Sequence, residues 1–175
     1  CSSDLLQVPG WSTYLEPMGD RLLAMGQETF GQPTVSLYDV ANPAQPRMIE
    51  RVSLGKWAWS EANQDEKAFK VLPEAGMLLV PWSGQRDATA AGDGDYFSGM
   101  QILDFGRDSL KRRGVIDHRF QARRATLIDE RIVSISGTEL ITADAADRDH
   151  PVVRATLELA PAADHVFEDG ADLIE

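Results

Sequence analysis

The chain has little to cross-link it and little that would hold a polyanion. One cysteine in 175 residues allows no internal disulfide. Lys and Arg number 17 against 28 Asp and Glu, a formal net charge of −11. That excess would repel nucleic acid across most of the surface, which excludes a general nucleic-acid binder. No run of 18 apolar residues exists, so no transmembrane helix is expected. The three histidines, His118, His150 and His165, do not stand at the i, i+2 or i, i+4 spacing of metal ligands on one element. Each follows an aspartate in a turn or in the tail, and the expectation for them is a solvated position. A G-x-S-x-G elbow is lacking too, so serine nucleophile chemistry has no signature here. Helical periodicity is nearly absent: only Ser60 to Lys67 could hold a helical turn, in a segment read as a connection.

What is present, 43% hydrophobic and 26% charged residues, is the composition of one folded domain. A chain of this length buries about 70% of its unfolded surface, so size alone demands neither metal nor cross-link. Three apolar runs recur at nearly constant spacing: Arg21 to Gly26, Met77 to Pro81 and Arg131 to Gly137, starting 56 and 54 residues apart. Each is too short and too β-apt for a helix. Before each lies a strand-like segment closed by turn residues: Thr13 to Leu15, Phe69 to Leu72, and Ala125 to Ile128. After each comes a strand ending in aspartate, at Asp39, Asp104 and Asp144, then a turn and a fourth strand. The rhythm predicts an all-β fold, a partial β-propeller of about three four-stranded antiparallel blades. The expected divisions are a lead-in over 1–10, blades over about 11–56, 57–118 and 119–160, and an acidic tail over 161–175.

The segment Val8 to Gly19, Trp59-Ser60-Glu61-Ala62 with Glu66-Lys67-Ala68-Phe69, and Leu37-Tyr38-Asp39-Val40 resemble bacterial secreted proteins that carry a C-terminal β-propeller distantly related to WD40 repeats. The resemblance covers most of residues 8 to 160 and brings no catalytic motif. It implies an extracytoplasmic location: secreted, periplasmic or cell-surface. The departure is in size, because closed propellers have about four to eight blades and three cannot close a ring. Further propeller blades or a second copy of the chain are therefore the expected partners, meeting apolar residues such as Leu22, Leu23, Ile132 and Val133. Cys1-Ser2-Ser3 is also what remains when a lipoprotein precursor is cut before its lipid-modified cysteine. Cys1 is thus a candidate lipidation site, the other reading being a plain chain boundary.

Three further clusters are candidates for function. The second unit carries an insertion containing Asp87, Asp93, Gly94 and Asp95, oxygen ligands beside a glycine turn, which makes calcium the one cofactor to consider. It lacks EF-hand spacing, and a solvated loop is the plainer reading. Between Arg107 and Arg131 lie eight of the 17 basic residues, against four acidic ones. Arg112, Arg113, Arg123 and Arg124 in that window could form a stripe for an acidic protein or glycan, or simply guard an edge strand. Trp11, Trp57, Trp59 and Trp82 could stack on sugars, but Trp11-Ser12 and Trp59-Ser60 fall at equivalent places in successive units, as blade-packing residues would. The sequence thus reads as a non-enzymatic binding or scaffold module presenting a protein or glycan surface. The alternative is part of a propeller enzyme, a lyase or hydrolase, with its site at the central mouth.

Overall fold

The computed structural model describes residues 6–29, 31–55, 57–85 and 95–160. They form three separate four-stranded antiparallel sheets, each a meander in sequence order. Blade 1 is β1 (Trp11–Met18), β2 (Arg21–Gln27), β3 (Pro33–Asp39) and β4 (Arg47–Ser53). Blade 2 is β5 (Lys70–Leu72), β6 (Met77–Gln85), β7 (Tyr96–Gly106) and β8 (Ser109–His118). Blade 3 is β9 (Ala122–Ile128), β10 (Arg131–Ser136), β11 (Glu139–Asp144) and β12 (Val152–Glu158). The fold is the all-β partial propeller expected from the repeat. Residues 54–69 connect blades 1 and 2 through two 3-10 turns, Glu61–Asn63 and Glu66–Ala68, whose first N–H groups are capped by the side chains of Ser60 and Asp65. The hairpin between β6 and β7 runs out to the Gln85↔Tyr96 pair, longer than its sequence run implies. Asp87 and Asp93, the tail over 161–175 and Cys1 lie outside the described residues.

Period-two alternation explains how blade 2 sits between its neighbours. On β6, Leu78 and Val80 enter one core with Leu23, Met25, Val35 and Leu37 of blade 1. Met77 and Leu79, pointing the other way, enter a second core with Ile132, Ile141 and Ala143 of blade 3. Every residue of β6 from Met77 to Gly84 is accordingly buried, whereas β10 alternates between buried and exposed because only one of its faces is covered. Each large side chain in these cores contributes about 1.5–3 kcal/mol by leaving water. Two expectations need correction here. Leu23 and Ile132 are fully buried against blade 2 rather than offered to a partner, since it is their sequence neighbours Leu22 and Val133 that point the other way. Trp82 is the tryptophan that packs between strands, 3% exposed, while Trp11 and Trp57 are 54% and 75% exposed.

The aspartates at the ends of β3 and β11, and Asp104 two residues before the end of β7, tie the sheet ends together. Asp39 accepts from Arg21 of β2 and Arg47 of β4, Asp104 from Arg148 of blade 3, and Asp144 from Arg154 of β12. The backbone N–H of Ala41 and the Arg47 guanidinium hold the Asp39 carboxyl below the usual carboxylate range. The Arg154 guanidinium and the Ala146 N–H do the same for Asp144.

Candidate functional site

First strands and last strands gather on opposite sides of the array. On the outer side β4 touches β8. On the inner side the connection over 61–68 meets both β1 and β9. Thr13 Oγ1 of blade 1 donates to Asn63 Oδ1 at 3.0 Å, and Arg124 of blade 3 donates to Asp65 Oδ2 at 2.6 Å. Gln121 Nε2, just before β9, reaches Glu61 Oε2 at 3.2 Å. The connection is thus tied to blades 1 and 3, and between it and β1 lies a cleft of about 280 Å3, lined by Thr13, Tyr14 and the segment from Ala62 to Lys67.

The groups in this cleft are locked by one another. The Tyr14 hydroxyl donates to Glu16 Oε2, and its ring lies edge-on to Phe69 with centroids 5.7 Å apart. That hydrogen bond to a carboxylate, with some burial, pushes the phenol up to about 12, so it stays protonated at any physiological pH. The Arg124 guanidinium, with the Lys67 N–H, keeps the Asp65 carboxyl below its ordinary range and therefore ionised. The result is a fixed array of a phenol, a hydroxyl, an amide, carboxylates and a guanidinium. Such an array can recognise hydroxyls and amides by direction.

The four arginines read as a stripe are dispersed. Arg112 lies over the Trp82 ring at 5.3 Å and donates to Gln101 Oε1 at 2.6 Å. Arg113 is partly buried between Asp104 and Asp149, at 3.4 and 3.0 Å. Arg123 and Arg124 sit side by side on β9, and Arg124 reaches Asp65 of the connection. The period of a strand is the reason: neighbours in sequence point to opposite faces. Asp95 of the calcium candidates is exposed at the foot of β7. Among the described residues no three His, Cys, Asp or Glu side chains cluster as metal ligands.

One buried constellation was not anticipated from the sequence. His118, placed there in a solvated turn, has a fully buried side chain. Its Nε2 is 2.7 Å from Ser134 Oγ, and its Nδ1 is 3.3 Å from Glu139 Oε1, close enough for attraction but outside hydrogen-bond geometry. Glu139 also accepts the Arg119 N–H at 2.7 Å. Burial pushes the imidazole down, against the pull of Glu139 and Asp117, so the ring is neutral. A serine, a histidine and a glutamate in this order have the connectivity of a nucleophilic triad. Ser134 is 0% exposed, however, and Glu139 only 4%, so no substrate reaches the hydroxyl. The trio joins the end of β8 to blade 3 and is a structural junction. The signal for it was present: small Ser at alternate positions of β10, facing blade 2, needs a buried polar partner.

Similarity to known proteins agrees with this architecture. The chain is 35% identical over 65 residues to an uncharacterized protein of Methanocaldococcus jannaschii, covering 37% of this chain and 10% of that protein. It is 26% identical over 113 residues to an uncharacterized protein of Archaeoglobus fulgidus, covering 64% of this chain and 17% of that one. The matches thus span less than a fifth of the length of these curated relatives, which are archaeal where the resemblance pointed to bacterial proteins. No solved structure matches. The family model described as beta propeller domain matches residues 4–159, nearly the same span as the three meanders, and the chain belongs to that family.

Proposed function

We propose that this chain is a non-enzymatic, extracytoplasmic binding or scaffold module whose recognition surface is the cleft between β1 and the connection over 61–68. The observation that carries the reading is the mutual locking of the cleft's groups, Tyr14 by Glu16, Asp65 by Arg124 and Thr13 by Asn63. Preorganised donors and acceptors favour binding by reducing what must be ordered, and a phenol that stays protonated beside an ionised carboxylate suits recognition better than proton transfer. A glycan or a polar stretch of protein matches this chemistry. Exposed Arg123 on the same strand adds a contact for an acidic partner. Calcium at Asp87, Asp93 and Asp95 and a lipid on Cys1 belong to the same extracytoplasmic reading; calorimetry with calcium and the intact mass of the native protein test them.

Screening against a glycan array and a peptide library, followed by calorimetry, tests the main reading. Asp65→Asn combined with Thr13→Val is expected to weaken the best ligand by about tenfold, the loss of about 1.4 kcal/mol, with the melting curve kept. No ligand at millimolar concentration on either array removes the cleft as a recognition site. The enzyme alternative, a lyase or hydrolase at the central mouth, draws on the gathering of Tyr14, Glu16, Asp65 and Arg124 around one cleft. Slow release of products from a bound glycan, abolished by Tyr14→Phe while binding persists, would select it.

A further inference from the structure

Both seams between blades follow one plan. At the first, the cross-strand pairs Leu23↔Leu37 and Met25↔Val35 of blade 1 lie against blade 2. At the end of the same sheet stands a charged set: Asp20, Arg21, Asp39 and Arg47. Arg21, only 6% exposed, donates to Asp39 Oδ1 at 2.9 Å and crosses the seam to Asp108 Oδ1 at 2.6 Å and to the Arg107 carbonyl at 2.9 Å. Asp20 accepts the Arg107 guanidinium in return. The turn Arg107-Asp108, between the third and fourth strands of blade 2, thus plugs into the charged set of blade 1. At the second seam the corresponding turn of blade 3 does the same, with Arg148 donating to Asp104 Oδ1 at 2.5 Å and to the Ala75 carbonyl at 2.8 Å.

Blade 3 repeats the charged set of blade 1 in kind, except that its last-strand arginine, Arg154, stands two residues beyond Val152, the residue paired with Asp144, whereas Arg47 is itself paired with Asp39. Glu130 precedes Arg131 as Asp20 precedes Arg21, and Arg131 pairs in register with Asp144 as Arg21 does with Asp39. Arg154 binds Asp144 at 2.9 Å as Arg47 binds Asp39 at 2.8 Å. The apolar half of the plan is there as well. Val133↔Thr142 and Ile135↔Leu140 occupy the places of Leu23↔Leu37 and Met25↔Val35. Flanking them on the same face, Ile128 and Leu157 are 54% and 59% exposed, a degree of apolar exposure that marks an interface.

We infer that this face docks a fourth propeller blade whose third turn carries an arginine–aspartate pair like Arg107-Asp108. The inference rests on the chain's being a propeller segment and adds what its neighbour must present. A second copy of this chain does not meet the requirement. The outer face of its blade 1 is overlaid by Arg51, which donates to Ser36 Oγ at 2.8 Å, the Tyr38 hydroxyl at 3.2 Å and the Pro9 carbonyl at 2.8 Å. The corresponding turn there, Asn42-Pro43-Ala44-Gln45, has no charge to offer.

The test compares the full chain with one in which residues 54–160 are repeated after Ala160, so that a blade bearing Arg107-Asp108 follows blade 3. With segmental labelling, amide exchange at Val133, Ile135 and Leu140 of the first copy is expected to slow by about tenfold in the extended chain. Arg131→Glu in the first copy should remove that protection, and adding Asp108→Arg in the second copy should restore it. Unchanged exchange, or protection indifferent to Arg131→Glu, overturns the inference. An extension that fails to fold also counts against it, because the same turn and face already fold on blade 1. Sedimentation of the unextended chain is the second measurement: a monomer is expected, and a dimer broken by Arg131→Glu would assign the face to a second copy. Ligand binding at the inner cleft is independent of these results, so the two readings fail separately.

Discussion

His118 was legible in the sequence only as a polar residue beside a turn. Its burial depends on blade 3 folding over the end of β8, information that sits sixteen and more residues away at Ser134 and Glu139. Removing the serine hydroxyl leaves a buried ring nitrogen without its partner, so Ser134→Ala is expected to cost about 1–3 kcal/mol, read as a lowered denaturant midpoint. The protonation of His118 has a defined direction. Its folded pKa lies below the ordinary histidine value of 6.5 because burial outweighs the nearby carboxylates of Glu139 and Asp117. The unfolded chain therefore takes up the proton first on acidification. Stability from this residue is complete above about pH 6.5 and is lost as pH falls through the folded pKa. Melting temperatures measured between pH 7.5 and 5 should fall, and His118→Gln should flatten that slope. The carboxylates of Asp39, Asp65 and Asp144, held below the usual 3.8, add their loss only at lower pH. Tyr14 was only half legible: Glu16 shares its face of β1 two residues on, but Phe69 becomes its neighbour only when the connection folds back on β1.

Individual strands were far more legible than the contacts between them. Turn residues and short β-apt apolar runs marked the strands, because a hairpin is a local event: Asp129 and Glu130, with φ of 46 and 64°, close β9 onto β10 as a two-residue turn. The four arginines failed as a stripe for the same local reason, since a strand sends successive residues to opposite faces, and no run of letters says which face a neighbouring sheet will cover. Gly114 on β8 illustrates the gap. Its backbone N–H donates to the Arg148 carbonyl at 2.8 Å, and a Cβ placed there would come within 2.5 Å of the Asp149 carbonyl oxygen and 2.6 Å of Pro151. Close approach of the blade 3 turn is what requires glycine. Gly114→Ala should force that turn away and cost about 1–3 kcal/mol, with faster amide exchange confined at first to the seam between blades 2 and 3. The same substitution at Gly137, where no atom lies within 4 Å of the new Cβ, is the matched control.

At the scale of the molecule, β6 decides how the three blades behave together. Leu78 and Leu79 are adjacent in sequence, yet one is buried in each core. Leu78→Ala and Leu79→Ala are each expected to destabilise by about 2–5 kcal/mol. Both variants should still melt in a single transition, with tryptophan fluorescence and far-ultraviolet circular dichroism coinciding, because neither core survives without the shared strand. Separate transitions would mean that blades 1 and 3 hold independently. The repeat made this middle position legible, through a second strand apolar on both faces, but not the difference between the two outer blades. That difference gives the array a direction. Blade 1 covers its own outer face with Arg51 and Tyr38, whereas blade 3 leaves Ile128, Ile135 and Leu157 bare. Of these three blades, the one translated first needs least from its successors. During synthesis, then, blade 3 is the part of the array that stays open to aggregation until its outer face is covered.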